Sequence, residues 1–358
     1  MGPAPRFLVV GAGGIGGIVA GHLAEQGHDV VALTKNPAIA DAIHQSGFRM
    51  RGEGVPPVVR GRAAASLAEL DGRFDFVLLA TQPPQVEAAA AEVLPYLAPG
   101  GHVVCFQNGL CEERIAPVVG AARVIGAIVA WGATMLEPGV YDRTSAGGFQ
   151  LGHFDGRRSD ALDVLARALE CVGQTVITEN LVGARWSKLA INNAISSLGT
   201  VGGDRLGVLM RKRHVRRLAL EIMTETVRVA SALLIKLEKV SGTLDLEWIA
   251  LTPEDLSRRV GSPSLFAKHA LLLAVGARYR RLRSSMLSAI ERGRTPAVDF
   301  LNGEVVRRGE ALSIPTPVNR ATRDLVFDIA AKRRDSSRRT LIELFESTRV
   351  VKSDPSFP

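Results

Sequence analysis

Short apolar runs alternate with longer stretches of helical periodicity through the first half of the chain. Residues 7–10, 29–34, 74–80 and 102–106 are compact apolar segments, the pattern of strands buried in a parallel sheet. Between them, the stretch that ends near Gln26 and residues 85–94 predict helices. Pro95 and then Pro99-Gly100-Gly101 predict a stop and a turn before residue 102. Residues 123–131 predict a further strand, followed by a more irregular sheet region through Phe149-Gln150-Leu151. Residues 160–172 predict a helix and 174–178 a last strand. Past about Glu179, strand-like runs become rare and helices are expected over 181–198 and 215–236. The expected fold class is therefore an α/β N-terminal domain with a parallel-sheet core over 1–179. A mostly α-helical C-terminal domain follows over 180–350, with 351–358 as a loose tail.

The first turn carries the most chemistry. Gly11-Ala12-Gly13-Gly14-Ile15-Gly16 follows a strand, opens a helix and precedes a second strand, the context of a dinucleotide-binding turn. Gly11 permits the tight turn, Gly13 lets the backbone approach a pyrophosphate, and Gly16 lets the helix pack close to the strand. Gly14 belongs to the same motif, and the helix N-terminus offers N–H donors to phosphate. A glycine-rich turn kept for packing alone is the competing reading. The second strand ends in Leu33-Thr34-Lys35-Asn36, without the carboxylate that usually binds a ribose 2′-hydroxyl. Thr34 and Lys35 are expected to hold a 2′-phosphate, so NADP(H) is expected as cofactor. An ordinary solvated lysine is the other reading of Lys35.

Composition narrows the class without naming a reaction. The 358 residues suffice for two domains with proper cores, and 46% hydrophobic with 22% charged residues is ordinary for a globular chain. Every apolar run is interrupted before membrane-spanning length, and the N-terminus lacks a signal-peptide pattern, so a cytoplasmic protein without membrane contact is expected. Cys105, Cys111 and Cys171 lack metal-ligand spacing, and no metal site is expected. The net charge of +8 and the pI of about 9.8 suit an anionic substrate and cofactor. The basic residues bunch in the second half. One cluster is Arg211-Lys212-Arg213-His214 with Arg216 and Arg217, another spans 278–283, and a third is Lys332-Arg333-Arg334 with Arg338-Arg339. Solvated helix faces explain them better than a nucleic-acid stripe, since aromatic residues are only 5% and stacking platforms are scarce.

Three polar residues of the first C-terminal helix, Lys188, Asn192 and Ser196, stand at i, i+4 and i+8 and share one stripe. Their neighbours Leu189, Ile191, Ile195 and Leu198 are apolar. A lysine there either faces a wet cleft, where it can act as a general acid, or marks a solvent-facing edge; spacing alone leaves both open. Asn108, at the carboxyl end of a strand, can serve a cofactor or a turn, and the Asn-Gly pair favours turns. Ser284-Ser285-Met286-Leu287 offers a hydroxyl for a carboxylate or a helix cap. Ligands of open α/β sheets bind beyond the carboxyl ends of the strands, so the active site is expected in the cleft between the domains.

In this order the motifs resemble those of the ketopantoate reductases (2-dehydropantoate 2-reductases). The resemblance rests on the glycine turn, Lys35, Gln107-Asn108-Gly109-Leu110 and Trp186-Ser187-Lys188-Leu189-Ala190-Ile191-Asn192-Asn193. It continues through Ser284-Ser285-Met286-Leu287, Val298-Asp299-Phe300-Leu301-Asn302-Gly303 and Ile314-Pro315-Thr316-Pro317-Val318-Asn319. It implies a Rossmann-type domain followed by a helical domain and NADPH-dependent reduction of a small anionic 2-oxo acid, ketopantoate first among them. It also implies a homodimer. Lys188 matches the proton donor, Asn192 a substrate contact, and Ser196 a position where the family often has another Asn. Ser285 matches the serine that binds the substrate carboxylate, and Asn108 the asparagine that links cofactor, lysine and substrate.

Four departures from the family pattern bear on the substrate. Ala297 stands where the family usually carries a Glu that assists the site, Gln82 where it has Lys, and Cys111 where it commonly has Gly. Extra residues lie between 239 and 279 and after 324. These departures keep two alternatives open: a related oxidoreductase acting on another ketone or hydroxy compound, and a non-catalytic NADP-binding regulatory protein.

Overall fold

The computed structural model describes residues 4–52, 54–239, 244–257 and 262–352, and the chain divides into two compact units, Met1–Leu181 and Val182–Pro358. The strands of the first unit are β1 (Arg6–Val10), β2 (Asp29–Leu33), β3 (Phe48–Arg51), β4 (Val58–Val59), β5 (Arg62–Ala64) and β6 (Phe74–Leu79). They continue with β7 (Leu97–Cys105), β8 (Val124–Val129), β9 (Ala133–Glu137), β10 (Val140–Arg143), β11 (Phe149–Gly152) and β12 (Thr175–Ile177). Its helices are α1 (Gly14–Glu25), α2 (Pro37–Ser46), α3 (Val86–Val93), α4 (Cys111–Val119) and α5 (Asp160–Leu169).

Eight strands form one sheet in the order β12-β11-β8-β7-β6-β1-β2-β5, with every pairing parallel except β8 with β11. From β1 the chain builds outward through β2 and β5, then returns to the other side of β1 with β6, β7 and β8. That reversal is the topological switch point of a Rossmann-type sheet. The apolar runs lie where the alternation places them: Phe7, Val9, Leu78, Val104 and Ile125 are buried beneath helices that contribute Ile18, Leu23, Leu165 and Leu169. Burying such runs on both faces is what a parallel sheet demands.

Two features depart from the expected pattern. Pro99-Gly100-Gly101 does not end in a separate turn but lies inside β7. The register passes from Phe74 opposite Leu97 to Phe76 opposite His102, so the extra residues bulge out of the ladder. Proline lacks the N–H that a ladder needs, and a bulge is one of the places a strand tolerates it. The irregular region before Phe149 belongs partly to a second sheet, β4-β3-β10-β9, in which Tyr141 pairs with Met50 across a long separation in sequence. Helix α1 packs against this sheet as well. A Cβ on Gly17 would come within 2.1 Å of the Tyr141 ring, and one on Gly21 within 2.7 Å of Met50. Sandwiched in this way, α1 buries nearly its whole circumference, including His22.

The second unit is helical among its described residues. Its helices are α6 (Leu181–Gly202, beginning at the last residue of the first unit), α7 (Leu206–Met210), α8 (Arg213–Ala232), α9 (Leu246–Ile249) and α10 (Pro253–Ser257). Then come α11 (Pro263–Arg278), α12 (Ser285–Glu291), α13 (Asn302–Ala311), α14 (Pro317–Ala330) and α15 (Arg338–Lys352). The expected loose tail began at residue 351, but α15 continues through 352; residues 353–358 lie outside the described residues. No helix among the described residues is long and apolar enough to cross a membrane.

A polar chain runs through this helical core. The Ser197 hydroxyl donates to Asn302 Oδ1, Asn302 Nδ2 donates to Asn319 Oδ1 at 2.9 Å, and Asn319 Nδ2 donates to Glu225 Oε2 at 2.8 Å. Glu225 also accepts the backbone N–H groups of Val318 and Asn319, placing a carboxylate on the first turn of α14. Between α8 and α12 lies a buried ion pair: Lys268 Nζ is 2.7 Å from Asp255 Oδ2. Burial alone would raise the Asp255 carboxyl, but hydrogen bonds from Lys268, Ser262 and the Thr252 N–H hold it at about 2.

Candidate active-site elements in the two units

The glycine turn sits at the switch point. Gly11 N donates to Leu33 O and Ala80 N to Val10 O, both at 2.8 Å, so the ends of β1, β2 and β6 meet at this turn. Gly11 has φ +102°, and a Cβ there would press on the Ala80–Thr81 backbone at 3.0 Å. One on Gly16 would lie 2.0 Å from Gly11 O, and one on Gly14 would lie 2.6 Å from Ala133 O in β9. Gly14 is thus required by packing against the second sheet. Gly13 is different: a Cβ there would meet nothing within 4 Å. The protein itself does not need a glycine at 13, whereas a ligand lying against the backbone would.

The start of α1 suits an anion. Gly13 is its N-cap, no side chain caps it and its first turn holds no acid. Gly17 N donates to Gly13 O, and the N–H groups of Gly14, Ile15 and Gly16 have no acceptor within the helix. They and the helix dipole favour phosphate. Within the same helix, burial and then Arg143 hold the His22 imidazole down at about 4. Burial also pushes the Tyr141 phenol above its ordinary range, so it stays a neutral donor to Ala12 O at 3.3 Å.

Thr34 is buried, and its Oγ1 accepts the Asn36 N–H at 3.2 Å, stiffening the turn after β2. Lys35 is largely exposed and its Nζ stands 2.9 Å from Glu92 Oε1 at the end of α3. Asn108 follows β7 with its side chain exposed, ahead of Gly109 at φ +91°. Beside it Gln107 is buried and donates through Nε2 to Thr81 Oγ1 at 3.2 Å, tying the ends of β6 and β7 together. Gln107 is a supporting residue that the spacing of motifs did not single out.

In the second unit, α6 is buried along most of its length. Trp186, Ser187, Leu189, Ala190, Asn193, Ala194, Ser197 and Leu198 are all under 2% exposed. Lys188, Asn192 and Ser196 are half-buried and form the accessible ridge, flanked by Ile191 and Ile195. Asn192 Nδ2 is buried without a hydrogen-bond acceptor. An amide donor left so is costly unless something else takes its hydrogen, which suits a bound carbonyl or hydroxyl.

The buried face holds that ridge in register. Asn193 Nδ2 donates to Thr226 Oγ1 at 3.4 Å, Ser187 Oγ accepts the Glu238 N–H at 3.0 Å, and the Arg308 guanidinium lies over the Trp186 ring at 5.6 Å. The two serines of the later motif divide their roles. Ser284 is buried; its Oγ caps α12 by accepting from Leu287 N and contacts Thr200 Oγ1 and Ser196 O, each at 2.8 Å. Ser285 is exposed on the first position of α12. The structure therefore brings Ser285 to the Ser196 end of the ridge. Ala297 opens a short 3-10 turn, half-buried, and the nearby Asp299 is engaged by Arg323 Nε at 2.5 Å.

A chemistry emerges from each part: one offers open backbone donors at a sheet switch point, the other an amine, an amide and hydroxyls along one ridge. The family profile described as ketopantoate reductase PanE/ApbA matches residues 7–156, and its C-terminal counterpart matches 180–329. A 2-dehydropantoate 2-reductase from Mesorhizobium japonicum is 26% identical over 350 residues, covering 92% of this chain and 98% of its own. The crystal structure of a PanE/ApbA family ketopantoate reductase from Ralstonia eutropha JMP134 superposes with a TM-score of 0.74 at 26% identity, covering 91% of this chain and 99% of that one. A D-mandelate dehydrogenase solved with NADH and anilino(oxo)acetate shares the fold, with a TM-score of 0.77 at 18% identity and the same two coverages.

Proposed function

The chain belongs to the ketopantoate reductase PanE/ApbA family, and from that premise we propose that it reduces 2-dehydropantoate to pantoate with NADPH, Lys188 supplying the proton. It is an oxidoreductase, 2-dehydropantoate 2-reductase-like. The observation that carries the mechanistic reading is the ridge of α6, where Lys188, Asn192 and Ser196 alone among the polar residues of a buried helix segment keep partial access to solvent.

Gly11, Gly13 and Gly16, with the open N–H groups of α1, would hold the dinucleotide pyrophosphate, and Gly14 fixes α1 against the second sheet. Thr34 shapes the turn that presents Lys35, whose ammonium would pair with a 2′-phosphate in exchange for Glu92. When bound, the reduced nicotinamide supplies the hydride that the carbonyl carbon receives. Lys188 Nζ gives a proton to the carbonyl oxygen, so hydride and proton together complete the alcohol. Asn192 Nδ2, the orphaned donor, holds the substrate oxygen in line, with Ser196 beside it. The Ser285 hydroxyl binds the substrate carboxylate, and Asn108 orients cofactor and substrate from the end of β7.

The test is NADPH consumption by the purified protein with 2-dehydropantoate, for the wild type and Lys188→Ala. Loss of a general acid lowers turnover by about 10²–10⁴-fold while NADPH affinity holds. Equal loss of turnover and of cofactor affinity refutes the role of Lys188. Ala297 favours one second reading, a different 2-oxo acid or ketone, because a methyl group stands where the family usually has a carboxylate. Tight NADPH binding without turnover of 2-dehydropantoate, and turnover of another oxo compound, would select it.

A further inference from the structure

The three basic clusters of the second unit are not alike. In the last, every arginine is ion-paired: Arg333 with Asp328, Arg334 and Arg339 with Glu343, and Arg338 with Asp204, at 2.6–3.1 Å. Arg217 pairs with Glu221 and Arg283 with Glu291. By contrast, Arg211, Arg280 and Arg281 form no ion pair among the described residues, and Arg205 has only Asp204 nearby, already held by Arg338. These four arginines line one pocket of about 400 Å³, together with Val208, Leu273 and Ala277.

The pocket is built by close packing rather than by chance proximity of long side chains. Helix α7 is pressed onto the end of α11 through two glycines. A Cβ on Gly207 would lie 2.7 Å from Arg280 Cα, and one on Gly276 would lie 2.4 Å from Met210 Cβ. Leu206 N donates to Leu282 O at 2.9 Å, fixing the segment after α11 against the start of α7. Arg205 and Arg211 flank α7, while Arg280 and Arg281 follow α11, so this contact gathers four cations around one mouth. Four like charges around a shared pocket repel one another, and an anion that enters relieves that repulsion. Guanidinium groups match phosphate and carboxylate oxygens in pairs. The volume is in the range of small-molecule sites, and Leu273 and Ala277 give it an apolar wall.

We propose that this pocket, which includes none of Lys188, Asn192, Ser196 or Ser285, is a binding site for a small organic anion with at least two phosphate- or carboxylate-type charges and an apolar portion. The charged groups sit on Arg205, Arg211, Arg280 and Arg281, and the apolar portion lies on Leu273 and Ala277.

Calorimetry on the full chain tests this, with tripolyphosphate and citrate as probes at matched ionic strength and NADP present to fill the glycine turn. The expected result is saturable binding of one probe per chain, weakened at least about ten-fold by Arg211→Gln and again by Arg280→Gln. Arg334→Gln, with the same change of charge at an ion-paired arginine of the last cluster, leaves it within about two-fold. Ala277→Trp, which fills the pocket without altering charge, abolishes it. Circular dichroism of each variant confirms the fold, and Ala277→Trp keeps the test independent of the arginine variants. Absence of probe binding overturns the proposal, as does equal weakening by Arg334→Gln. Tighter, steeply salt-dependent binding of a 20-base-pair duplex through the same arginines also overturns it, assigning the surface to nucleic acid instead.

Discussion

Around Gly13 the first unit offers space and backbone donors; around Lys188 the second unit offers side chains anchored by a dense set of hydrogen bonds. At the glycine turn the informative feature is what is missing. Gly16 lacks a Cβ because Gly11 O occupies its place, and Gly13 lacks one although nothing of the protein does. On α6 the informative feature is a contrast between faces. Ser187, Asn193 and Ser197 are spent on Glu238, Thr226 and Asn302, while Lys188, Asn192 and Ser196 are left accessible. Similar residue types on one helix thus serve either architecture or chemistry, according to the face they occupy. A backbone site tolerates little change in shape, and a side-chain site depends on the network beneath it.

The two glycines give the largest expected difference. Gly16→Val should abolish the folded first unit, since the added carbons enter a carbonyl oxygen. Gly13→Ala should keep the fold at a cost of about 1 kcal/mol or less, yet weaken dinucleotide binding at least about ten-fold. Thermal melting with and without NADPH separates the two. If Gly13→Ala binds the cofactor as well as the wild type, the open space at residue 13 is not the phosphate approach.

Next comes the support beneath the ridge. Asn302→Ala leaves Ser197 Oγ and the Asn319 side chain short of a partner in a dry core, and should cost about 2–3 kcal/mol in urea unfolding. The protein that remains folded should retain most of its turnover, in contrast to Lys188→Ala. A wild-type stability with lost turnover would move Asn302 from support into chemistry.

The smallest expected effect is at the edge of the first unit. Lys35→Ala should weaken NADPH by about ten-fold and NADH by little, because the ammonium is expected to face only the 2′-phosphate. Its exposed pairing with Glu92 contributes little to stability, so melting should barely change. An unchanged preference between the two cofactors removes Lys35 from the site and returns it to the solvated surface.

Much of the fold was legible because it is local. Apolar runs of strand length separated by helical periodicity state a parallel α/β sheet, and the glycine turn after β1 marks its switch point. The stripe of Lys188, Asn192 and Ser196 follows from a spacing of four on a helix. What the pattern misses is long-range. The second sheet depends on pairing Arg49 with Val140, and nothing local to either segment announces it. For the same reason the packing of Gly14 against Ala133 in β9 is invisible in the glycine motif itself. The Pro99-Gly100-Gly101 segment has the composition of a turn and becomes a bulge because neighbouring strands hold both of its ends. The serine pair gave two candidate hydroxyls; packing against Thr200 and Ser196 buried Ser284 as the cap and left Ser285 exposed.

The sequence by itself determined the order of elements, the α/β-then-helical division and which residues could share a helix face, since all three follow from backbone periodicity within a few turns of chain. Only the tertiary structure decided which face of α6 is accessible, which glycine of the first turn is free of protein contact, and which arginines lack a counter-charge. Those properties depend on atoms far apart in sequence that exclude water, or fail to, at one point in space.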